Sequence, residues 1–168
     1  MLVLDSNVWI YLATAGELPV EIYSETLGER LYFPEEFYRG RHETVLSAYM
    51  IEEIRQGLDR STRVEGAEVD EALTELFTLI QGCDKIITTF DDKELRDVEL
   101  TEIRKRPSTQ LLSHLLGIQA KDVPIFLLAY QYRYERPHIL TDDGGFGELS
   151  PATFDLQNIT IEVLSLTW

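Results

Sequence analysis

The chain has one cysteine, Cys83, which can form no internal disulfide and cannot by itself build a thiolate metal site. A reducing, cytoplasmic setting is the expectation. Long apolar runs are also missing. The longest, Val123 to Tyr130, falls far short of the roughly 20 residues that a membrane-spanning helix needs. Asp5 and Asn7 stand where a secretory leader would be apolar, so neither a membrane nor a secreted protein is expected. Basic residues are scarce. Fifteen Lys and Arg face 30 Asp and Glu, a formal charge of -15, and arginine far outnumbers lysine. That balance argues against general affinity for polyanions, so any nucleic-acid contact must rest on local basic patches and bound metal. A solvated acidic surface, of the kind that keeps proteins soluble at high salt, accounts for most of the acids.

Several catalytic signatures are lacking too. His42, His114 and His138 show no His-x-x-x-His spacing, which disfavours zinc hydrolysis. No nucleophile elbow supports Ser-His-Asp chemistry, and no glycine-rich phosphate loop precedes a helix. What is present is an ordinary globular composition: 168 residues, 44% hydrophobic, 27% charged and 10% aromatic. This predicts one domain over residues 1–168 with its own core. No internal repeat or low-complexity linker divides it.

Met1 to Leu4 reads as a buried strand that delivers Asp5-Ser6-Asn7 at its carboxyl end. Helices are expected over Val8 to Ala15, Pro19 to Leu27, Glu43 to Leu58 and Glu68 to Ile80, with Leu31 to Arg41 irregular. The β-branched residues of Lys85 to Phe90 predict a strand. Residues 91 to 107 predict a charged surface helix, followed by a helix capped by Ser108 and stopped by Gly117. A buried helix follows from Asp122 to Tyr132, then strands over His138 to Thr141 and Ile159 to Leu166. Alternating strands and helices imply an α/β three-layer sandwich, a mostly parallel sheet flanked by helices on both faces.

In such sheets ligands bind beyond the carboxyl ends of the strands, near the point where strand order reverses. Asp5 ends one strand there and Asp142-Asp143 another, and Asp122 opens a buried helix. Helical angles set Glu53 on the flank of Leu46, Met50 and Gly57, at the border of the core, whereas Glu52 turns to water with Gln56 and Asp59. Carboxylates sharing a pocket repel one another unless a divalent cation neutralises them, and oxygen-only ligation suits Mg²⁺ or Mn²⁺. Each residue also has a plainer use. Asp5 and Asp142 could begin turns, Asp122 could be an N-cap, and Glu53 could be an amphipathic-border residue.

Leu4-Asp5-Ser6-Asn7, then Glu53-Ile54-Arg55-Gln56-Gly57, then Asp122 opening an apolar helix with Ala129, then Leu140-Thr141-Asp142-Asp143 with Phe146, resembles the PIN-domain nucleases in order and context. The nearest likeness is to the VapC-like toxins. The resemblance implies a PIN-like fold, with Asp5, Glu53, Asp122 and Asp143 as catalytic, metal-binding acids and Asp142 as a further candidate ligand. Ser6, Asn7 and Thr141 would be polar supports. It implies a Mg²⁺- or Mn²⁺-dependent endoribonuclease acting on RNA, the toxin of a toxin-antitoxin pair held by a small antitoxin protein, and a homodimer. Gly145 departs from the family pattern, where many relatives carry an acidic or polar residue. Pro124 is also unusual at its position, and residues 59 to 117 form a longer segment than in compact relatives.

For RNA contact the candidates are Arg39 and Arg41, which lie among Tyr32, Phe33, Phe37 and Tyr38, and the triplet Arg104-Lys105-Arg106. Three other functions remain open at this level: a housekeeping RNA-processing nuclease, a binding module of the same fold without catalysis, and a receiver-like switch domain. The last fits poorly, because Asp5 stands alone after the first strand and no lysine follows Lys121.

Overall fold

The structure, a computed structural model, describes residues 1–13, 43–60 and 66–164. The expected helix over Pro19 to Leu27 and the irregular stretch from Leu31 to Arg41 lie outside them. Five strands, β1 (Leu2–Leu4), β2 (Thr44–Leu46), β3 (Ile86–Thr88), β4 (His138–Thr141) and β5 (Thr160–Val163), form one sheet in the order β3-β2-β1-β4-β5. Every pairing is parallel. Among the described residues the α-helices are α1 (Ser6–Ala13), α2 (Ala48–Arg60), α3 (Gly66–Gly82), α4 (Asp92–Asp97), α5 (Leu100–Lys105), α6 (Pro107–Leu116), α7 (Val123–Gln131) and the single turn α8 (Gly144–Gly147). They flank the sheet as the outer layers of an α/β sandwich.

The central strands are short and mostly apolar, as strands covered on both faces are. Val3, Leu4, Val45, Leu46, Ile139 and Leu140 have no exposed surface. Helices α1 and α7 both pack against β1 and β4, and α1 packs on α2 and α3. Trp9 and Met50 are completely buried in this core. No helix among the described residues is long and apolar enough to cross a membrane.

Two elements differ from expectation. Glu43 to Leu58 is not one helix: Thr44–Leu46 forms β2, and the helix begins only at Ala48. A strand buried on both faces gives an apolar run that periodicity cannot separate from a helix. Neighbours on both sides decide it. Leu2 N–H donates to Glu43 C=O and Thr44 N–H to Lys85 C=O, both at 2.8 Å. Ser47 then starts the helix, accepting from Ile51 N–H at 3.1 Å through its carbonyl.

Residues 91 to 107 form two short helices rather than one. Asp91 opens α4 with a capping box to Glu94, and the chain turns extended at Val98 and Glu99 before α5. The apolar positions explain the break. Leu95 and Val98 share one stripe and Leu100 and Ile103 another, but the step of two from Val98 to Leu100 throws the stripes out of phase. Helix α6 begins with Pro107 at its first position and Arg106 as the cap residue, so Ser108 is not the cap. Proline's fixed φ suits that first position. Gly117 ends the helix with φ of 70°, as a left-handed C-cap.

Candidate functional site

In the order β3-β2-β1-β4-β5 the chain reverses direction across the sheet between β1 and β4, which makes their carboxyl ends the expected ligand crevice. Asp5 emerges there. Its N–H still donates to Leu140 C=O at 2.8 Å, so its carboxylate leaves the ladder between two strands, 3% exposed. Thr141, at the end of β4, donates its hydroxyl to Asp5 Oδ2 at 2.5 Å and accepts from Asp143 N–H at 2.9 Å. One threonine therefore fixes the acids of both strands. Ser6, the first residue of α1, donates to Glu53 Oε2 at 2.6 Å. Glu53 thus faces inward, while Glu52 turns to Arg55 and Gln56 on the outer face.

Asp122 is 1% exposed at the start of α7. It does not act as an N-cap: its backbone is helical (φ -85°, ψ -19°) and its side chain makes no cap hydrogen bond. Among the described residues Oδ2 has no hydrogen-bond partner, although buried carboxylate oxygens are nearly always paired. Asp143 combines two uses. Oδ1 caps α8, accepting from Gly145 N–H at 2.9 Å and Phe146 N–H at 3.2 Å, and Oδ2 faces the crevice. Asp142 lies beside Tyr11, whose pKa is raised by burial and by that carboxylate. Asn7 is half-buried in the first turn of α1.

Two cations that sequence reasoning did not place at the site stand among these acids. The Lys121 ammonium is 2.8 Å from Asp143 Oδ2 and 3.9 Å from Asp122 Oδ1. Arg104, from α5, donates to Glu53 Oε1 at 2.7 Å and to the Tyr49 hydroxyl at 2.8 Å. Tyr49 in turn donates to the Lys121 carbonyl at 3.0 Å, which ties the two cationic segments together. Arg104 was an RNA-contact candidate on an expected solvated helix, but its guanidinium turns into the acidic crevice. Lys105 and Arg106 remain exposed, and Arg39 and Arg41 lie outside the described residues.

The electrostatics follow from burial and crowding. Burial pushes the Asp122 carboxyl up to about 7, with Lys121 opposing the rise and Asp5, Asp143 and Glu53 adding to it. Burial raises Asp5 and Glu53 as well, against the hydrogen bonds from Thr141 and Ser6 respectively. Asp143 moves the other way because Lys121 bonds to it. Burial alone would lower the Lys121 ammonium, but the hydrogen bond to Asp143 and the charges of Asp122, Asp143 and Asp5 more than offset this.

The acids thus share one edge and feel one another, yet their neutralisation is not left to a metal alone, as the sequence suggested. Lys121 and Arg104 supply part of it. Among the described residues no group of three or more His, Cys, Asp or Glu side chains is arranged to hold a metal ion as the side chains stand. The donor chemistry nevertheless fits a hard divalent cation: the candidate ligands are all carboxylate oxygens, and the bare Asp122 Oδ2 is what such an ion would satisfy. Lys121 was detectable only as the residue before Asp122, and Arg104 only as one of a basic triplet. No protein-family model matches the chain, and no curated protein or solved structure matches it.

Proposed function

We propose that this chain is a Mg²⁺- or Mn²⁺-dependent endoribonuclease of the PIN type, working in the cytoplasm. The observation that carries the reading is the buried Asp122 carboxylate with an unpartnered oxygen, set beside Asp5, Glu53 and Asp143 at the switch point of a parallel sheet. Asp5, Glu53, Asp122 and Asp143 would hold the ion. When bound, it supplies Lewis-acid polarisation of the phosphate and an activated water. The chain's own residues do the positioning. Ser6 fixes the rotamer of Glu53, Thr141 fixes Asp5 and the backbone of Asp143, and Asp122 is held by its burial at the start of α7. Lys121 and Arg104 can turn their N–H groups from carboxylate to phosphate oxygens, which lets an acidic edge receive an anionic strand.

RNA as the substrate, a toxin role with a small antitoxin partner, and a homodimer rest on the family resemblance. A housekeeping RNA-processing nuclease would use the same acids. The pairing of Arg104 with Glu53 and of Lys121 with Asp143 favours a second reading, a binding module whose internal cations have replaced catalysis. The receiver-like alternative gains no support, since receivers use the strand order 2-1-3-4-5.

The test is cleavage of mixed RNA substrates with Mg²⁺ or Mn²⁺ and with chelator. Metal-dependent cleavage that Asp5→Asn and Asp143→Asn each reduce by at least about 100-fold, with the fold intact by circular dichroism, is expected. No cleavage at any salt concentration favours the binding module, and undiminished cleavage by both variants removes these acids from the mechanism.

A further inference from the structure

We infer that Tyr130, Arg133 and Tyr134 form a platform on which a base of single-stranded RNA stacks, at the end of α7 away from the acidic crevice. This rests on the ribonuclease reading above and adds a surface that holds the strand.

Arg55 pairs with Glu52 and Asp59, and Arg104 with Glu53. Arg133 is held differently. It opens the short 3-10 turn Arg133–Glu135 after α7, with its guanidinium carbon 4.5 Å from the centre of the Tyr130 ring and 4.4 Å from that of Tyr134. It donates to the Tyr130 carbonyl and to the Tyr134 hydroxyl, both at 3.2 Å, which leaves most of its five N–H donors uncommitted. Among the described residues neither Arg133 nor Arg136 has an ion pair with an acid. Tyr134 is 80% exposed, and Tyr130 is exposed too, so these rings add little to the core. The stacked guanidinium is already ordered, and meeting a phosphate costs it little further freedom. Exposed aromatic faces beside arginine suit a single strand, with bases on the rings and phosphates on the cation. A cavity of about 200 Å³ adjoins the stack, lined by Arg133, Tyr134, Asp155, Leu156, Asn158 and Ile159. It is smaller than the roughly 300–1,000 Å³ that takes a drug-sized ligand, which suits one base. Tyr130 stands about 12 Å along the helix from Asp122, so a strand of a few nucleotides can reach from platform to crevice. A second copy of the chain fits the patch less well, because a twofold contact through it would set the arginines of one copy against those of the other.

Fluorescence anisotropy with a short labelled RNA that forms no base pairs, in chelator, reads binding apart from cleavage. Tyr134→Ala is expected to weaken binding about 5-fold or more, and Tyr134→Trp, which keeps a ring, to bind as the unaltered chain does. Arg133→Gln is expected to reduce the dependence of log Kd on log KCl by about 0.7. Equal affinity of the unaltered chain and folded Tyr134→Ala overturns the inference, and metal-dependent cleavage by both then leaves the ribonuclease reading standing. A loss with Tyr134→Trp as great as with Tyr134→Ala, or a salt dependence that Arg133→Gln leaves unchanged, overturns it as well. An unaltered chain that neither binds nor cleaves RNA overturns both. Sedimentation of the same proteins tests the other occupant: a dimer that Tyr134→Ala splits assigns the patch to a second copy and overturns the inference, whatever the RNA affinity.

Discussion

At the scale of single residues, Asp122 carries the largest conflict between burial and charge. Its carboxyl releases its proton near 3.8 when the chain is unfolded and at about 7 when folded. Between those values the native state holds the extra proton, so its contribution to stability is fully present below about pH 4 and is lost as pH rises through 7. The difference, roughly 3 pKa units, corresponds to about 4 kcal/mol at full ionisation. The charges facing it are Lys121, Asp5, Asp143 and Glu53. Asp122→Asn is therefore expected to raise Tm at pH 8 by roughly 8–16 °C in the absence of divalent ions, with the gain vanishing near pH 4. Thermal melts of both proteins across that range measure it, and parallel curves would falsify the assignment of the burden to Asp122. Mg²⁺ should raise Tm of the unaltered chain at pH 8 and do much less for Asp122→Asn.

The same scale shows how much of the site the sequence disclosed. Asp5, Asp122 and Asp143 were legible because strand ends and a helix start place them by topology alone, and Glu53 because helical angles gave it a face. Lys121 and Arg104 were not. The destination of a long flexible side chain depends on which carboxylate lies within reach after folding, and no spacing in the sequence records that.

At the scale of elements, the site depends on how closely α1 and α2 approach, since Ser6 lies on one and Glu53 on the other. Gly57 permits that approach. A Cβ there would lie 2.3 Å from Ile10 Cδ1 and 3.3 Å from its Cγ1. The obstructing atom is the tip of a flexible side chain, so Gly57→Ala is expected to be accommodated by a new Ile10 rotamer. Gly57→Val cannot be met in that way. It should cost about 1–3 kcal/mol as an overpacked contact and, by wedging the helices apart, weaken Mn²⁺ binding several-fold. Melting and calorimetry on both variants distinguish the cases, and loss of stability without loss of Mn²⁺ affinity would show that Ser6 does not hold Glu53 for the ion. Element type was readable from sequence where flanking signals were strong, as at Gly117 and at the β-branched run before Phe90. It was misread at Thr44–Leu46, where the helical pattern of residues 48–60 ran on into a strand defined only by its neighbours.

At the scale of the whole molecule, the crevice is a small part of the charge problem. Thirty acids against 15 basic residues leave -15 on 168 residues, and that excess repels itself more in the compact state than in the expanded one. Screening should therefore stabilise the fold. Raising KCl from about 10 mM to about 150 mM shortens the Debye length from roughly 30 Å to 8 Å, which weakens repulsion across the surface while leaving contacts of about 3 Å in the crevice little changed. Tm is expected to rise over this interval, before the salting-out effects of concentrated salt enter. The internal pairs give the control. If the global charge is responsible, Asp122→Asn should show nearly the same salt slope as the unaltered chain, because one charge in fifteen is removed. If the slope collapses in that variant, the repulsion resides in the crevice, where one carboxylate matters far more than the surface total.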